Sequence, residues 1–175
     1  MKSLQTQRLI LRSWTLEDVE DLYDYAKSDL VGPSAGWPIH KSVEDSLKII
    51  KMFIKEDDTY AIELKETGKV IGGLGIHEYI SEDKQYKDKN MKEIGFVLNP
   101  EYWGNAYVPE AAREAIKFAF SDLKSDIVWC CHYDFNDKSK KVIDKCGFKY
   151  QFKSNKVLER LDNKEVIALY YNIEA

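Results

Sequence analysis

The 175-residue chain has no long apolar run; its hydrophobic stretches are short and interrupted. None approaches the roughly 20 residues needed to cross a bilayer, so a membrane-spanning role is not expected. The first residues, Met1-Lys2-Ser3-Leu4-Gln5-Thr6-Gln7, carry no apolar core and no cleavage-like site, which makes secretion unexpected and a cytoplasmic location the natural one. Cysteine is scarce: the three present are Cys130, Cys131 and Cys146, an odd number with an adjacent pair and no C-x-x-C spacing. That pattern excludes a disulfide framework, and with His40, His77 and His132 scattered along the chain no metal site is expected. A net charge of -4 gives no electrostatic reason for nucleic-acid binding, although it suits a cationic substrate.

Apolar residues make up 44% and aromatics 13%, enough for one substantial core in a chain of single-domain length, so residues 1–175 are read as one domain. No internal repeat, low-complexity tract or Pro/Gly/Ser linker divides it. Arg8-Leu9-Ile10-Leu11-Arg12 has strand character. Thr15 with Asp18 three residues later marks a helix start, with Trp14 placed to staple onto Val19. Leu16, Val19, Leu22, Tyr23 and Ala26 then share one helical face. A turn-rich stretch, Gly32-Pro33-Ser34-Ala35-Gly36-Trp37-Pro38, precedes a second helix signalled by Ser42 and Asp45.

Beyond it the period shortens. Residues 60–64 and 70–77 alternate as two strands around the turn Glu66-Thr67-Gly68-Lys69. Residues 81–90 are polar and read as a loop, and residues 94–98 form a third strand ended by Asn99-Pro100. A helix over 109–123, a strand over 126–133, a helix over 136–146 and a closing hairpin from 148–152 and 166–171 complete the order. An antiparallel meander followed by a β-α-β unit predicts an α/β (mixed α+β) fold with a twisted mixed sheet of about seven strands and helices on both faces.

The segment Asn99-Pro100-Glu101-Tyr102-Trp103-Gly104-Asn105-Ala106-Tyr107-Val108-Pro109-Glu110 is where chemistry concentrates. A strand stops, a loop of small residues follows, and a helix begins. Free N–H groups at such a junction, aided by the helix dipole, cradle an anion such as a diphosphate. Glu93-Ile94-Gly95-Phe96, followed by Tyr102-Trp103-Gly104-Asn105 and Glu110-Ala111, resembles motif A of the GNAT N-acetyltransferases. More narrowly it resembles the ribosomal-protein N-terminal acetyltransferases of the RimJ/RimL type. Asn136-Asp137-Lys138-Ser139 with Lys145-Cys146-Gly147-Phe148 is similar to that branch's second motif, and the opening strand and Gly36-Trp37-Pro38 also match.

The resemblance implies a GNAT fold with splayed central strands and acetyl-CoA as cosubstrate. It implies that Val97 and Leu98 meet the pantetheine arm, that Trp103, Gly104, Asn105, Ala106, Tyr107 and Val108 hold the pyrophosphate, and that Asn136 contacts the cofactor. It places an acidic residue, Glu93, as the candidate base. Where many relatives carry a tyrosine as thiolate acid this chain has Ile143, which leaves Ser139 as the donor. Ala106 stands where the family has glycine and Val108 where it has a small residue. The Ala106 methyl group narrows the approach to phosphate, a cradle that alanine tolerates only if the loop keeps helical dihedrals.

Direct transfer requires a neutral amine, a polarised thioester and a proton for the departing thiolate. His77 and Glu78 are further base candidates. Cys130 and Cys131 read as packing. Trp37, Tyr102 and Trp103 are placed to shape an acceptor groove. The reading is an acetyltransferase acting on a primary amine, either a protein N-terminus or a small molecule. The alternative is a non-catalytic acyl-CoA-binding or sensing protein with a degenerate phosphate loop. The closing hairpin leaves an edge through which two copies could pair.

Overall fold

The computed structural model describes residues 1–175, which form one eight-stranded sheet in the order β1-β2-β3-β4-β5-β6-β8-β7. The strands are β1 (Leu4–Gln5), β2 (Leu9–Arg12), β3 (Thr59–Leu64), β4 (Val70–Glu78), β5 (Met91–Leu98), β6 (Ile127–Tyr133), β7 (Lys149–Leu158) and β8 (Lys164–Glu174). The helices are α1 (Val19–Ala26), α2 (Gly32–Ala35), α3 (Val43–Glu56), α4 (Tyr107–Ser121) and α5 (Asp137–Lys145). All neighbouring strands are antiparallel except β5 and β6, which run parallel because α4 crosses over between them.

Alternation along the strands sorts the core into two layers. Ile94 and Leu98 of β5 and Val128 and Cys130 of β6 pack with Ala111, Ala112, Ala115 and Ala119 of α4. The alanines let the helix approach the sheet closely. On the other face Trp14, Leu22, Tyr25 and Ile50 pack with Ala61 and Val70, and Val97 leans onto that cluster. A third cluster, Met91, Ile127, Trp129, Ala168 and Tyr170, fills the same face further along the sheet.

The expected mixed sheet is observed, with one strand more than foreseen: the two-residue β1 pairs with β2 at Leu4↔Leu11. The start at Thr15 opens as a 3-10 turn over Leu16–Asp18 before α1, and Thr15 N donates to Asp18 Oδ2 at 2.8 Å. Residues 32–35, read as turn, make a single helical turn with Pro33 at its start and Gly36 at φ 89° as its stop. The closing hairpin is longer than its apolar pattern suggested. Residues 153–157 are exposed and polar except for Val157, so no period-2 signal marks them as strand.

Candidate active site

The cleft is made possible by a break in the sheet. β5 and β6 pair only at Met91↔Ile127, Lys92↔Val128 and Glu93↔Trp129, yet β5 runs on to Leu98 and β6 to Tyr133. Past Glu93 the two strands diverge. Hydrogen-bonded pairs in an antiparallel ladder alternate. Tyr79 N donates to Met91 O at 3.1 Å and Asn99 N to Ile71 O at 2.8 Å, at either end of the β4–β5 ladder. The odd-numbered residues of β5 therefore exchange bonds with β4. Phe96 and Leu98 turn their N–H groups toward the gap, and Leu98 O accepts from Trp103 Nε1 at 3.0 Å. Val97 pairs with Gly73, so it offers the gap a side chain on the α3 face rather than its amide.

The gap opens onto the start of α4. A 3-10 turn, Pro100–Tyr102, is capped by Asn99, whose Oδ1 accepts from Glu101 N at 3.1 Å. Gly104 at φ 85° and Ala106 at φ 59° are both left-handed. The first bond of α4 is Glu110 N to Ala106 O at 3.2 Å. The N–H groups of Gly104, Asn105, Ala106, Tyr107 and Val108 thus find no acceptor within the protein. Those consecutive donors at a helix N-terminus form an anion cradle. Of the two cases left open for Ala106, the loop does not keep right-handed helical dihedrals there: the residue takes the conformation of the glycine it replaces, a strain of about 1 kcal/mol for an L-residue. Val108 is buried in the core and adds no bulk at the loop's surface.

The helix start is clamped to the turn between β1 and β2. Glu110 accepts from Thr6 Oγ1 at 2.5 Å, Arg8 N at 2.9 Å and Arg8 Nε at 2.7 Å. Burial pushes the Glu110 carboxyl upward, but these bonds and the Arg8 charge win and hold it below the usual range. The Arg8 guanidinium lies 4.4 Å from the Tyr107 ring centroid. Across the gap, Asn136 caps α5 by accepting from Ser139 N at 3.0 Å, while its Nδ2 donates to Ser34 O at 3.0 Å. One amide hydrogen and one lone pair of Asn136 remain free. Lys138 Nζ sits 3.7 Å from the Trp103 ring centroid, closing one side of the cradle.

The cleft encloses about 1320 Å³ and gathers Glu93, Val97, Leu98, Trp103, Gly104, Ala106, Tyr107, Val108, Asn136 and Ser139. Asn105 lies outside it, its Nδ2 donating to Tyr102 O at 3.2 Å and Trp103 O at 3.3 Å. Glu78 also lies outside and pairs with Lys92. Ile143 is fully buried and offers no donor.

On the α3 face Glu93 shares the cleft with His77, Cys131, Tyr133 and Lys156. Burial, then the Glu93 charge, pushes the Cys131 thiol up to about 12, so it stays protonated at neutral pH and is no nucleophile. Burial works against the Lys156 charge, yet the Tyr170 hydroxyl and nearby negative groups raise it to about 12. The buried imidazole of His132 is engaged at both nitrogens, with Tyr133 O at 2.8 Å and Tyr171 Oη at 3.2 Å. Asp58, Lys138 and Lys156 were not singled out from the sequence. Nothing local marks them: Lys138 and Lys156 line the cleft only through helix placement and sheet register, and Asp58 lies beside it as the partner of His77.

The chain belongs to the acetyltransferase (GNAT) domain family, whose model matches residues 8–149. It is an acetyltransferase, an enzyme of acyl transfer. It is similar to the N-acetyltransferase YoaA of Bacillus subtilis (strain 168), 29% identical over 125 residues, covering 69% of this chain and 67% of that protein. Its fold matches the GNAT-family acetyltransferase from Bacillus anthracis at a TM-score of 0.86 and 22% identity, over 99% of this chain and 98% of that one. It also matches a structure described as a ribosomal-protein-serine acetyltransferase from Vibrio cholerae, at a TM-score of 0.82 and 19% identity, over 99% and 98% of the two chains.

Proposed function

We propose that this protein is a single-domain N-acetyltransferase that moves acetyl from acetyl-CoA directly to a primary amine. The observation that carries the reading is the parting of β5 from β6 beyond Glu93, which aims backbone donors at a gap ending in the α4 cradle. An extended amide-bearing arm pairs with Phe96 and Leu98 as a strand would, and its diphosphate meets the free N–H groups from Gly104 to Val108. Asn136, Trp103 and Tyr107 wall the same path, and Lys138 adds a positive charge beside it. The acetyl carbonyl then lies where β5 and β6 separate, within reach of backbone N–H groups that stabilise the oxyanion.

Glu93 faces the acceptor side and is the carboxylate that meets the incoming ammonium and acts as base. Ser139 supplies a hydroxyl for the departing thiolate. Proximity of amine and thioester accounts for much of the rate, so few side chains suffice. The acceptor of the RimJ/RimL branch, a protein N-terminal amine, is favoured by the motifs at Glu93, Gly104 and Asn136 and by the likeness to the Vibrio cholerae protein. A small-molecule amine uses the same machinery. The working location is the cytoplasm, where acetyl-CoA and free thiols coexist, and the exposed edge of β7 is available for pairing of two copies. No helix is long and apolar enough to cross a membrane.

The test is calorimetry with acetyl-CoA and CoA, followed by thiol release over a panel of peptides and small amines. Binding of acetyl-CoA with turnover of a primary amine is expected. Binding without turnover on any amine defeats the reading in favour of an acyl-CoA sensor, and no binding at high micromolar concentration removes both.

A further inference from the structure

The imidazole of His77 has a geometry that a surface histidine has no need of. His77 is on β4, directly opposite Glu93 of β5 in the ladder, so the two side chains stand on the same face of the sheet. Its Nδ1 lies 2.7 Å from Asp58 Oδ2. An ionised carboxylate only accepts, so the neutral ring carries its proton on Nδ1 and presents a lone pair at Nε2. Asp58 thereby fixes both the tautomer and the ring's direction.

That direction is back along the strand, over Gly75. A Cβ at Gly75 would lie 2.1 Å from His77 Nε2 and 2.7 Å from Cε1, so only glycine leaves room for the ring there. The neighbour of Gly75 across the ladder is Gly95, and a Cβ at Gly95 would meet nothing within 4 Å. In the middle of an eight-stranded sheet, that emptiness is the cleft itself. Nε2 is therefore held at the edge of an open slot floored by two glycines, with the Glu93 carboxylate on its other border.

We propose that His77, oriented by Asp58, is a second proton acceptor in the transfer: Glu93 holds the acceptor's ammonium and is base for its last proton, while His77 Nε2 takes the first. The inference rests on the acetyltransferase reading of this cleft. In the step an N–H bond of the ammonium breaks and an Nε2–H bond forms. The freed amine lone pair attacks the thioester carbon; as the C–S bond breaks, the nitrogen loses its second proton to Glu93, and the thiolate takes a proton through the Ser139 hydroxyl, which solvent resupplies. The half-exposed ring then returns its proton to solvent. Asp58 stabilises the imidazolium, and the charged or titratable groups lining this cleft include Asp45, Lys48 and Glu56 of α3, Glu93 of β5, Cys131 and Tyr133 of β6 and Lys156 of β7, with Lys138, Lys141 and Lys145 of α5 across the gap. An imidazole is the group suited to proton transfer near neutrality.

The experiment compares kcat/KM against pH for the wild type, His77→Gln and Asp58→Asn, using whichever amine the panel identifies and measuring acetyl-CoA affinity alongside. His77→Gln is expected to lower kcat about 100-fold, at the low end of general-base contributions, and to abolish the ascending limb of the profile. Asp58→Asn is expected to lower kcat less and to move that limb to lower pH, because the imidazolium loses its counter-charge. Acetyl-CoA affinity stays unchanged in both. A His77→Gln enzyme within twofold of wild type with the same limb overturns the proposal while leaving the acetyltransferase reading intact. Equal loss of activity in both variants with the limb unmoved also overturns it, since that is the mark of a structural role. A wild type that turns over no amine removes the parent reading, and this one with it.

Discussion

The two ends of the cleft are built in different ways. The end proposed for the cofactor comes from nearly continuous chain: it follows the close of β5, and the loop with Gly104 and Ala106 and the first turn of α4 supply the free N–H groups of the cradle. The end proposed for the acceptor is assembled from distant pieces, with Trp37, Met52, His77, Glu93, Cys131 and Lys156 arriving from separate elements. One end uses backbone groups and the other uses side chains. Substitutions at the cofactor end should therefore act on affinity or stability, and those at the acceptor end on turnover.

The sharpest test of that division is Glu93→Gln. It is expected to reduce kcat by about 100-fold or more while acetyl-CoA affinity stays within twofold, because the amide keeps shape and loses charge. Equal loss of affinity and turnover would break the comparison. Asn136→Ala is the counterpart at the cofactor end. Acetyl-CoA affinity is expected to fall about tenfold, the equivalent of 1.4 kcal/mol. The fold is expected to lose about 1 kcal/mol as α5 loses its cap and Ser34 its bond. Calorimetry and thermal melting separate the two losses.

The same contrast explains what was legible in the chain. The cradle was readable because its geometry depends on local order: strand end, small residues, helix start. The strand order of the meander was readable from period and turn chemistry at Gly68. The parting of β5 and β6 came only through resemblance, since no periodicity in 94–98 or 130–133 differs from that of a paired strand. Asp58 could not be read at all. It becomes a partner of His77 only because the β3–β4 pairing sets Thr59 against Gly75, which brings the residue just before β3 alongside the far end of β4. The length of β7 escaped for the opposite reason, an edge strand with both faces wet having no apolar pattern to show.

At the cofactor end the next effect in size concerns the clamp beneath the cradle. Glu110→Gln is expected to destabilise the fold by about 1–2 kcal/mol, less than a fully buried charged bond because Arg8 is part-exposed. The sign of its pH dependence follows from the lowered carboxyl. A carboxylate held below its unfolded value, about 4.3, contributes stability present above that pH and lost as pH falls through the lower folded value. The difference in melting temperature between wild type and Glu110→Gln should therefore be full at pH 7 and shrink below pH 4.

The smallest expected effect is also the most diagnostic of the cradle. Ala106 holds φ 59° and ψ 24°, a left-handed conformation that glycine adopts freely and alanine does not. Ala106→Gly removes about 1 kcal/mol of strain, although glycine's greater freedom in the unfolded chain returns part of that gain. The net rise in melting temperature is expected to be about 1–3 °C for a chain of this size. Acetyl-CoA affinity should hold or improve slightly, since the phosphate then approaches N–H groups with no methyl beside them. A fall in melting temperature would mean the loop does not rest in the left-handed form. Unchanged stability with weakened acetyl-CoA binding would mean the methyl group contributes contact rather than obstruction, and that the cofactor end, like the acceptor end, depends on side chains.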